Sequence, residues 1–480
     1  MLEKYIEKNI FRKVYICEHV FEYQEIKIDE IANLLDVSLP TIQHDIECIL
    51  EQLDYCIDSV TKDHHLYKIL FKHGITRTEL TQTIYSSSYF LRFLAHYFAG
   101  EFSSTQLADN EFISLSKVYA VKKQILDFFK ENNYLKEKQI LIPEFDIRNL
   151  LLALTRYIDW QGYEQQHTEV QNAIEEVIQF VEKNFFDRRY CIDERKYITR
   201  GIEIAMGRVD FPLTFPKVER QEAEKKPLFQ LVKTGLAMQK NLHLQEADTY
   251  FILSLFNSRN YTNSTIDLFK KDFTIVYKSF VQKNPFLQEL VVDIAAHICA
   301  LDSEDEIFQQ AFLQLMRTTW ADGQVFLPES LQILTPKQKE LYALILEILE
   351  NWRIRHNFSI RWNCNLISKF TKSIYVLLQK NCKCTPKEIF IVSDNSFKQM
   401  YYRQRLMEVV HAPHKVNVAI YHSLAELKNE FLYSCERIVL CDASVYQSGQ
   451  DTKKTVILPI SLRSTDQVIS ELTQKLALLG

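Results

Sequence analysis

Along most of the chain, apolar residues recur at the three- and four-residue spacing of a buried helix face. Period-two or continuous apolar runs of strand length occur mainly just after the first fifty residues and beyond Pro386. The sharpest local pattern is residues 28–53, IDEIANLLDVSLPTIQHDIECILEQL. A first helix is predicted from about Asp29 to Leu35, with Ile31, Ala32, Leu34 and Leu35 apolar. Asp36 and Val37 make a turn, and Ser38 is an N-cap whose hydroxyl can accept a backbone N–H. Pro40 falls in the first turn of the next helix, where its missing N–H costs little. Ile42, Ile46, Ile49 and Leu53 then form one inward stripe, which turns Thr41, Gln43, His44 and Glu47 outward. Strand-like Tyr55–Val60, a turn over Thr61–His65 and a returning strand Leu66–Phe71 follow.

Two helices joined by a tight turn and followed by a hairpin predict a winged helix-turn-helix. In that motif the outward residues of the second helix reach base edges, and a Gln such as Gln43 can pair bidentately with adenine. Ser38, Pro40, Thr41, Gln43 and His44 are therefore candidate DNA-contacting positions, and Lys62 and Lys68 of the hairpin are candidate phosphate contacts. Two packed helices of an unrelated helical domain are the competing reading. A second, weaker copy follows at residues 103–129. There Leu107 and Ala108 belong to the first helix, Ser114 is the cap, and Val118, Val121 and Ile125 are the stripe. Ser116, Lys117, Tyr119, Lys122 and Lys123 lie off the stripe, and the lysines suit phosphate. A plain amphipathic helix with a solvated lysine face competes with that reading.

Residues 165 to about 383 read as helices throughout, in two bundles with a border near Phe280–Pro285. After Pro386 the texture changes. Strand-like 389–394, 416–421, 437–442 and 455–460 alternate with helical segments, which predicts a small parallel α/β sheet. The fold class is therefore mainly α with a carboxy-terminal α/β domain.

Composition narrows the function. The 480 residues exceed one core and by length correspond to about three or four domains. Only nine are glycine and no two form a G-x-G, which disfavours phosphate-cradling nucleotide loops. No cofactor motif and no spacing of Cys or His suited to a metal is found, and the closest cysteines are Cys382 and Cys384. His411 and His414 read as an incidental pair. No apolar run is long enough for a bilayer and no signal-peptide core is present, so no membrane partner and a cytoplasmic location are expected. The net charge is −5, and residues 1–75 carry eight Lys or Arg against fourteen Asp or Glu. Contact with DNA then requires a local basic face, because neutralising phosphate supplies much of the affinity.

Two successive winged helix-turn-helix units at the amino terminus resemble the Mga/AtxA family of Gram-positive virulence and metabolic regulators. The family's acidic-x-x-Ile-Arg element looks like Glu144–Arg148, after strand-like Gln139–Ile142. The resemblance implies five parts: winged helix-turn-helix units at 1–75 and 76–160, helical phosphotransferase regulation domains at 161–282 and 283–385, and an EIIB-like α/β domain at 386–480. In the regulation domains, histidines take phosphate from the phosphocarriers of the sugar phosphotransferase system. Here Gly201 and Ser254 stand where the first domain would carry its histidines. His297, His356 and His243 are the remaining candidate phosphoacceptors, with a hydrogen-bonded histidine near a core as the competing reading of His297. Ser393 stands at the cysteine position of an active EIIB, so no catalytic residue and no enzyme activity are expected. The implied partners are double-stranded DNA, a second copy of the chain through its carboxy-terminal part, and phosphotransferase phosphocarriers. A phosphocarrier enzyme or an RNA-binding antiterminator are the alternatives. The first needs an EIIB cysteine and the second an all-β amino-terminal domain.

Overall fold

The computed structural model describes residues 2–137, 139–163, 167–215, 223–298, 301–321, 323–381, 388–410, 415–427, 437–446 and 455–478. Cys382, Cys384, His411 and His414 lie outside the described residues. The chain forms two compact units, Met1–Val292 with Gln309–Thr371, and Asp293–Phe308 with Lys372–Gly480.

The first unit begins with helix α1 (Lys8–Tyr23), strand β1 (Glu25–Lys27) and helices α2 (Ile28–Leu35) and α3 (Leu39–Gln52). Strands β2 (Ile57–Asp63) and β3 (Leu66–Phe71) follow, and the three strands form an antiparallel sheet in the order β1-β3-β2. The first strand of the hairpin is shifted from the expected Tyr55–Val60, because Asp54–Cys56 forms a 3-10 turn and the strand starts at Ile57. β2 continues through Asp63 and the turn contracts to His64 and His65, with His64 at φ 48°. Helices α4 (Arg77–Tyr85), α5 (Tyr89–Phe98), α6 (Ser104–Glu111) and α7 (Leu115–Glu131) come next. They are followed by a two-residue hairpin, β4 (Leu135–Lys136) with β5 (Gln139–Ile140). The second wing is thus a stub, and the expected strand to Ile142 stops at Ile140.

Helix α8 (Glu144–Ile158) is buried nearly all round from Arg148 to Thr155, as expected of a helix enclosed by neighbours. It packs on α4 and α5 of the amino-terminal part and on α10 (Ile192–Gly207) of the helical middle, where α9 (Thr168–Asn184) and strand β6 (Arg188–Arg189) precede α10. The Arg148 guanidinium, fully buried, donates to Glu144 (3.0 Å), Asp248 (2.6 Å) and the carbonyls of Arg208 and Phe211. Burial of a charge in this way requires such saturation.

The middle continues with α11 (Pro227–Ala237), α12 (Asp248–Ser258), strand β7 (Thr262–Asn263), α13 (Ile266–Tyr277), α14 (Pro285–His297), α15 (Glu306–Met316), α16 (Pro336–Arg355) and α17 (Cys364–Asn381). A five-residue π turn, Lys278–Gln282, separates α13 from α14. A second buried pair, Arg188 with Asp272, is bidentate at 2.7 and 2.6 Å, with Tyr261 stacked 3.8 Å from the guanidinium.

In the second unit, β8 (Glu388–Val392), α18 (Ser396–Val409), β9 (Lys415–Val416), α19 (Leu424–Leu427), β10 (Arg437–Asp442), β11 (Thr455–Ile460) and α20 (Thr465–Leu478) build a four-stranded sheet in the order β11-β10-β8-β9, parallel throughout. The expected strand 416–421 is mostly absent. Only Lys415–Val416 and one bridge from Tyr421 to Val392 pair with β8. Arg403 explains the difference, because its guanidinium donates to the carbonyls of Asn417 and Val418 at 3.2 Å and so replaces ladder bonds.

Candidate nucleic-acid interface

The first helix-turn-helix is α2, α3 and the turn between them. Asp36 takes the left-handed conformation (φ 54°), and the N–H of Val37 reaches the Ala32 carbonyl at 3.0 Å, which closes the end of α2. Ser38 then caps α3 by accepting the Thr41 N–H, and its hydroxyl also meets the Thr41 hydroxyl at 2.8 Å. Pro40 lies exposed in the first turn. Ile42, Ile46, Ile49 and Leu53 are all buried. His44 and Glu47 are exposed, Thr41 and Gln43 half-buried, and the His44 ring lies 3.6 Å from the Cys48 sulfur one turn on.

One residue of α3 breaks the apolar rule. Asp45 is buried and forms a two-pronged ion pair with Arg12 of α1, one arm at 3.1 Å. This pair ties the recognition helix to α1. Sequence periodicity does not reveal it, because the partner is 33 positions away. It also removes one negative charge from a helix that carries no Lys or Arg. Lys62 and Lys68 on the wing are exposed, with the Lys62 ammonium 5.0 Å from the Tyr67 ring.

The second unit repeats this geometry in register. Phe112 takes the left-handed place of Asp36 with φ 52°, and Ile113 reaches the Ala108 carbonyl at 3.1 Å, as Val37 reaches Ala32. Ser114 caps α7 by accepting the Lys117 N–H and shares a 2.9 Å hydrogen bond with Ser116. Val118, Val121 and Ile125 are buried. Ser116, Lys117, Tyr119 and Lys123 are exposed, and the Lys117 ammonium lies 5.2 Å from the Tyr89 ring.

Lys122 departs from the sequence reading. Counted from the two caps, it occupies the position that Ile46 holds in the first unit. Its ammonium turns inward, donating to the Phe102 carbonyl (2.7 Å) and to Ser104 (3.2 Å) over the Phe102 ring. Desolvation lowers its pKa. Lys122 is a packing residue that holds the segment before α6, and an ammonium so engaged does not face phosphate.

The phosphate-related positions are spread through the rest of the chain. Gly201 packs so tightly on α12 that a Cβ there would lie 2.3 Å from a Leu255 methyl, so no histidine fits without repacking. Ser254 is buried, donating to the Phe251 carbonyl and accepting from Gln324, which also takes the Tyr197 hydroxyl. His356 is half-buried, 3.0 Å from Glu289 and within an aromatic group of Phe286, Trp352 and Phe358. His243 and His297 are exposed. His297 Nδ1 lies 2.7 Å from the Asp293 carbonyl, which can only accept, so Nδ1 carries a proton and, in the neutral ring, Nε2 is the atom left with the lone pair.

At the carboxyl ends of the parallel strands, buried Ser393 donates to the Asn395 carbonyl. Beside it Asp442 accepts from Tyr402 (2.6 Å), Lys398 (3.1 Å) and Ser444. Burial alone would raise the Asp442 pKa, but these hydrogen bonds outweigh it and bring the value to about 2. The loop after β8 thus presents Ser393 and the Asp394 carboxylate, and the Asp442 carboxylate at the end of β10 is joined to Asp394 through Lys398.

Among the described residues no helix is long and apolar enough to cross a membrane. Residues 7–54, which contain α2, α3 and the Arg12–Asp45 pair, match the family described as the M protein trans-acting positive regulator (MGA) HTH domain. Compared with curated proteins, the chain has no significant match.

Proposed function

We propose that this member of the Mga-like regulators, a DNA-binding transcription regulator, acts as an activator or global regulator that grips double-stranded DNA with both of its helix-turn-helix units and works as a homodimer through its carboxy-terminal part. The observation that carries the reading is α3, a capped recognition helix with Gln43 and His44 outward and an apolar stripe fixed in the core. The helix offers base-edge chemistry without cations, so affinity depends on the wing lysines, Lys117, Lys123 and a second copy of the chain.

Control by the sugar phosphotransferase system would enter at His297 in this reading. Its exposure and the lone pair on Nε2 support that choice, while the packing of Gly201 and Ser254 speaks against the first helical domain. The α/β domain serves contact rather than phosphoryl transfer, as Ser393 beside Asp394 and Asp442 supports. A cytoplasmic location belongs to the same reading.

The test is a mobility-shift titration of the full chain on duplexes that it selects from a randomised pool. Gln43→Ala with His44→Ala should weaken binding by about tenfold or more. Unchanged affinity would remove the first unit from the interface. The same titration at saturating DNA counts chains per duplex, and one chain per duplex would remove the homodimer.

A further inference from the structure

We infer that the second helix-turn-helix unit reads thymine-bearing steps of the major groove with an apolar tip made of Phe112, Leu115 and Tyr119. The inference rests on the reading of the chain as a DNA-binding regulator and assigns the second unit its base contact.

Phe112 is costly where it stands. Both helix-turn-helix turns need one left-handed residue, Asp36 in the first (φ 54°) and Phe112 in the second (φ 52°). Aspartate tolerates that conformation through its short polar side chain, whereas a bulky apolar residue there is an outlier. The other aromatic residue with positive φ among those described is Phe186 (φ 56°), and it is half-buried with its ring 5.0 Å from that of Phe185. Phe112 has no such compensation, since it is 94% exposed. A strained and solvated ring is disfavoured in the free protein on both counts, and strain of this kind concentrates at functional positions.

Its surroundings fit one kind of partner. Leu115 and Tyr119, four residues apart on the outer face of α7, are 47% and 62% exposed. Tyr119 occupies the position that Gln43 holds in the first unit, where the motif meets base edges. Lys123, four residues further along, is exposed where the first unit carries Glu47, and Ser116 lies between. Apolar groups at the tip with a cation behind them complement a groove edge flanked by phosphate. The apolar group that a base pair presents in the major groove is the thymine C5-methyl, which phenylalanine contacts. A protein partner fits less well. The three side chains expose at most a few hundred Å², short of the roughly 800 Å² per partner of a stable protein interface.

The experiment uses the full chain, duplexes that the wild type recovers from a randomised pool, and the same duplexes with deoxyuridine for thymine, which removes only the methyl. The variant is Phe112→Gly, which relieves the backbone. Wild type should lose about three- to tenfold in affinity on removal of the contacted methyls. Phe112→Gly should bind the thymine duplex about tenfold more weakly, be nearly indifferent to deoxyuridine, and keep or raise the amide-exchange protection of α6 and α7. Equal deoxyuridine sensitivity in the two proteins, wild-type affinity in the variant, or lowered protection of α6 and α7 would overturn the inference. Lost transcription with intact DNA affinity would also overturn it and assign the tip to a protein partner. If the wild type recovers no duplex, the DNA-binding reading itself fails, which is a separate outcome.

Discussion

Arg12→Met isolates the contribution of the pair that ties the recognition helix to α1. The Asp45 side chain is 2% exposed and that of Arg12 20% exposed, so the substitution leaves a carboxylate facing apolar neighbours with no partner. Breaking a fully buried pair from one side costs about 3–5 kcal/mol, and the partial exposure of Arg12 reduces this to about 2–4 kcal/mol. The chain is too large and too divided for a single unfolding free energy to be meaningful. The assay is therefore amide hydrogen exchange of α3, which reads local opening. At 1.36 kcal/mol per factor of ten, exchange at the Ile42, Ile46 and Ile49 amides should accelerate by about 30- to 900-fold. Amides of the α/β unit serve as the internal control and should not change. Arg12→Met combined with Asp45→Leu removes both charges and should recover most of the protection, because the orphaned carboxylate is the source of the penalty. Unchanged exchange in the single variant, or no recovery in the double, would refute the reasoning.

Two other outcomes follow from the lysines of α7 and from Asp442. Lys123→Ala should reduce the slope of log affinity against log salt by about one, whereas Lys122→Ala should leave that slope unchanged and loosen the segment before α6; equal slopes in the two variants would contradict the inward placement of Lys122. The depressed pKa of Asp442 stabilises the fold fully above its unfolded value near 3.8, and that stability is lost as pH falls toward about 2. The amount is about 2 kcal/mol. Circular dichroism during acid titration should show the α/β unit weakening between about pH 4 and pH 2, and Asp442→Asn should remove that acid step; an identical acid profile in the variant would count against it.

The first helix-turn-helix was legible because its signals are local. A cap, a proline in the first turn and a four-residue stripe act over one or two turns of helix, and Ser38, Pro40 and Ile42 stand as the pattern predicts. The parallel strands at 437–442 and 455–460 were legible as continuous apolar runs, and the structure has them with those bounds. What stayed hidden depends on residues distant in sequence. Arg12 and Asp45, Arg148 and Asp248, and Gln324 with Tyr197 are long-range partners that no periodicity announces. Lys122 was misread for a related reason. A lysine at a core position signals solvent by composition, and only the aligned caps of the two units show that it stands in place of Ile46. The run 416–421 failed as a strand because Arg403 satisfies carbonyls that a ladder would have used, and Val418 is 79% exposed.

Helix α8 has a mechanical consequence. One helix serves as the floor of the amino-terminal part and as the wall of the helical middle, and its buried arginine is fastened to the far side. Helix α8 therefore holds the segments before and after residue 160 against one another. A fragment cut there would carry Arg148 without Asp248 and an apolar wall from Leu150 to Leu154 open to water, so it would be a damaged object rather than a smaller working one. Any change that moves α10 or α12 strains the support under α4 and α5 directly. In this chain the amino-terminal helices and the helical middle share one wall, so a load placed on either is felt by the same buried helix.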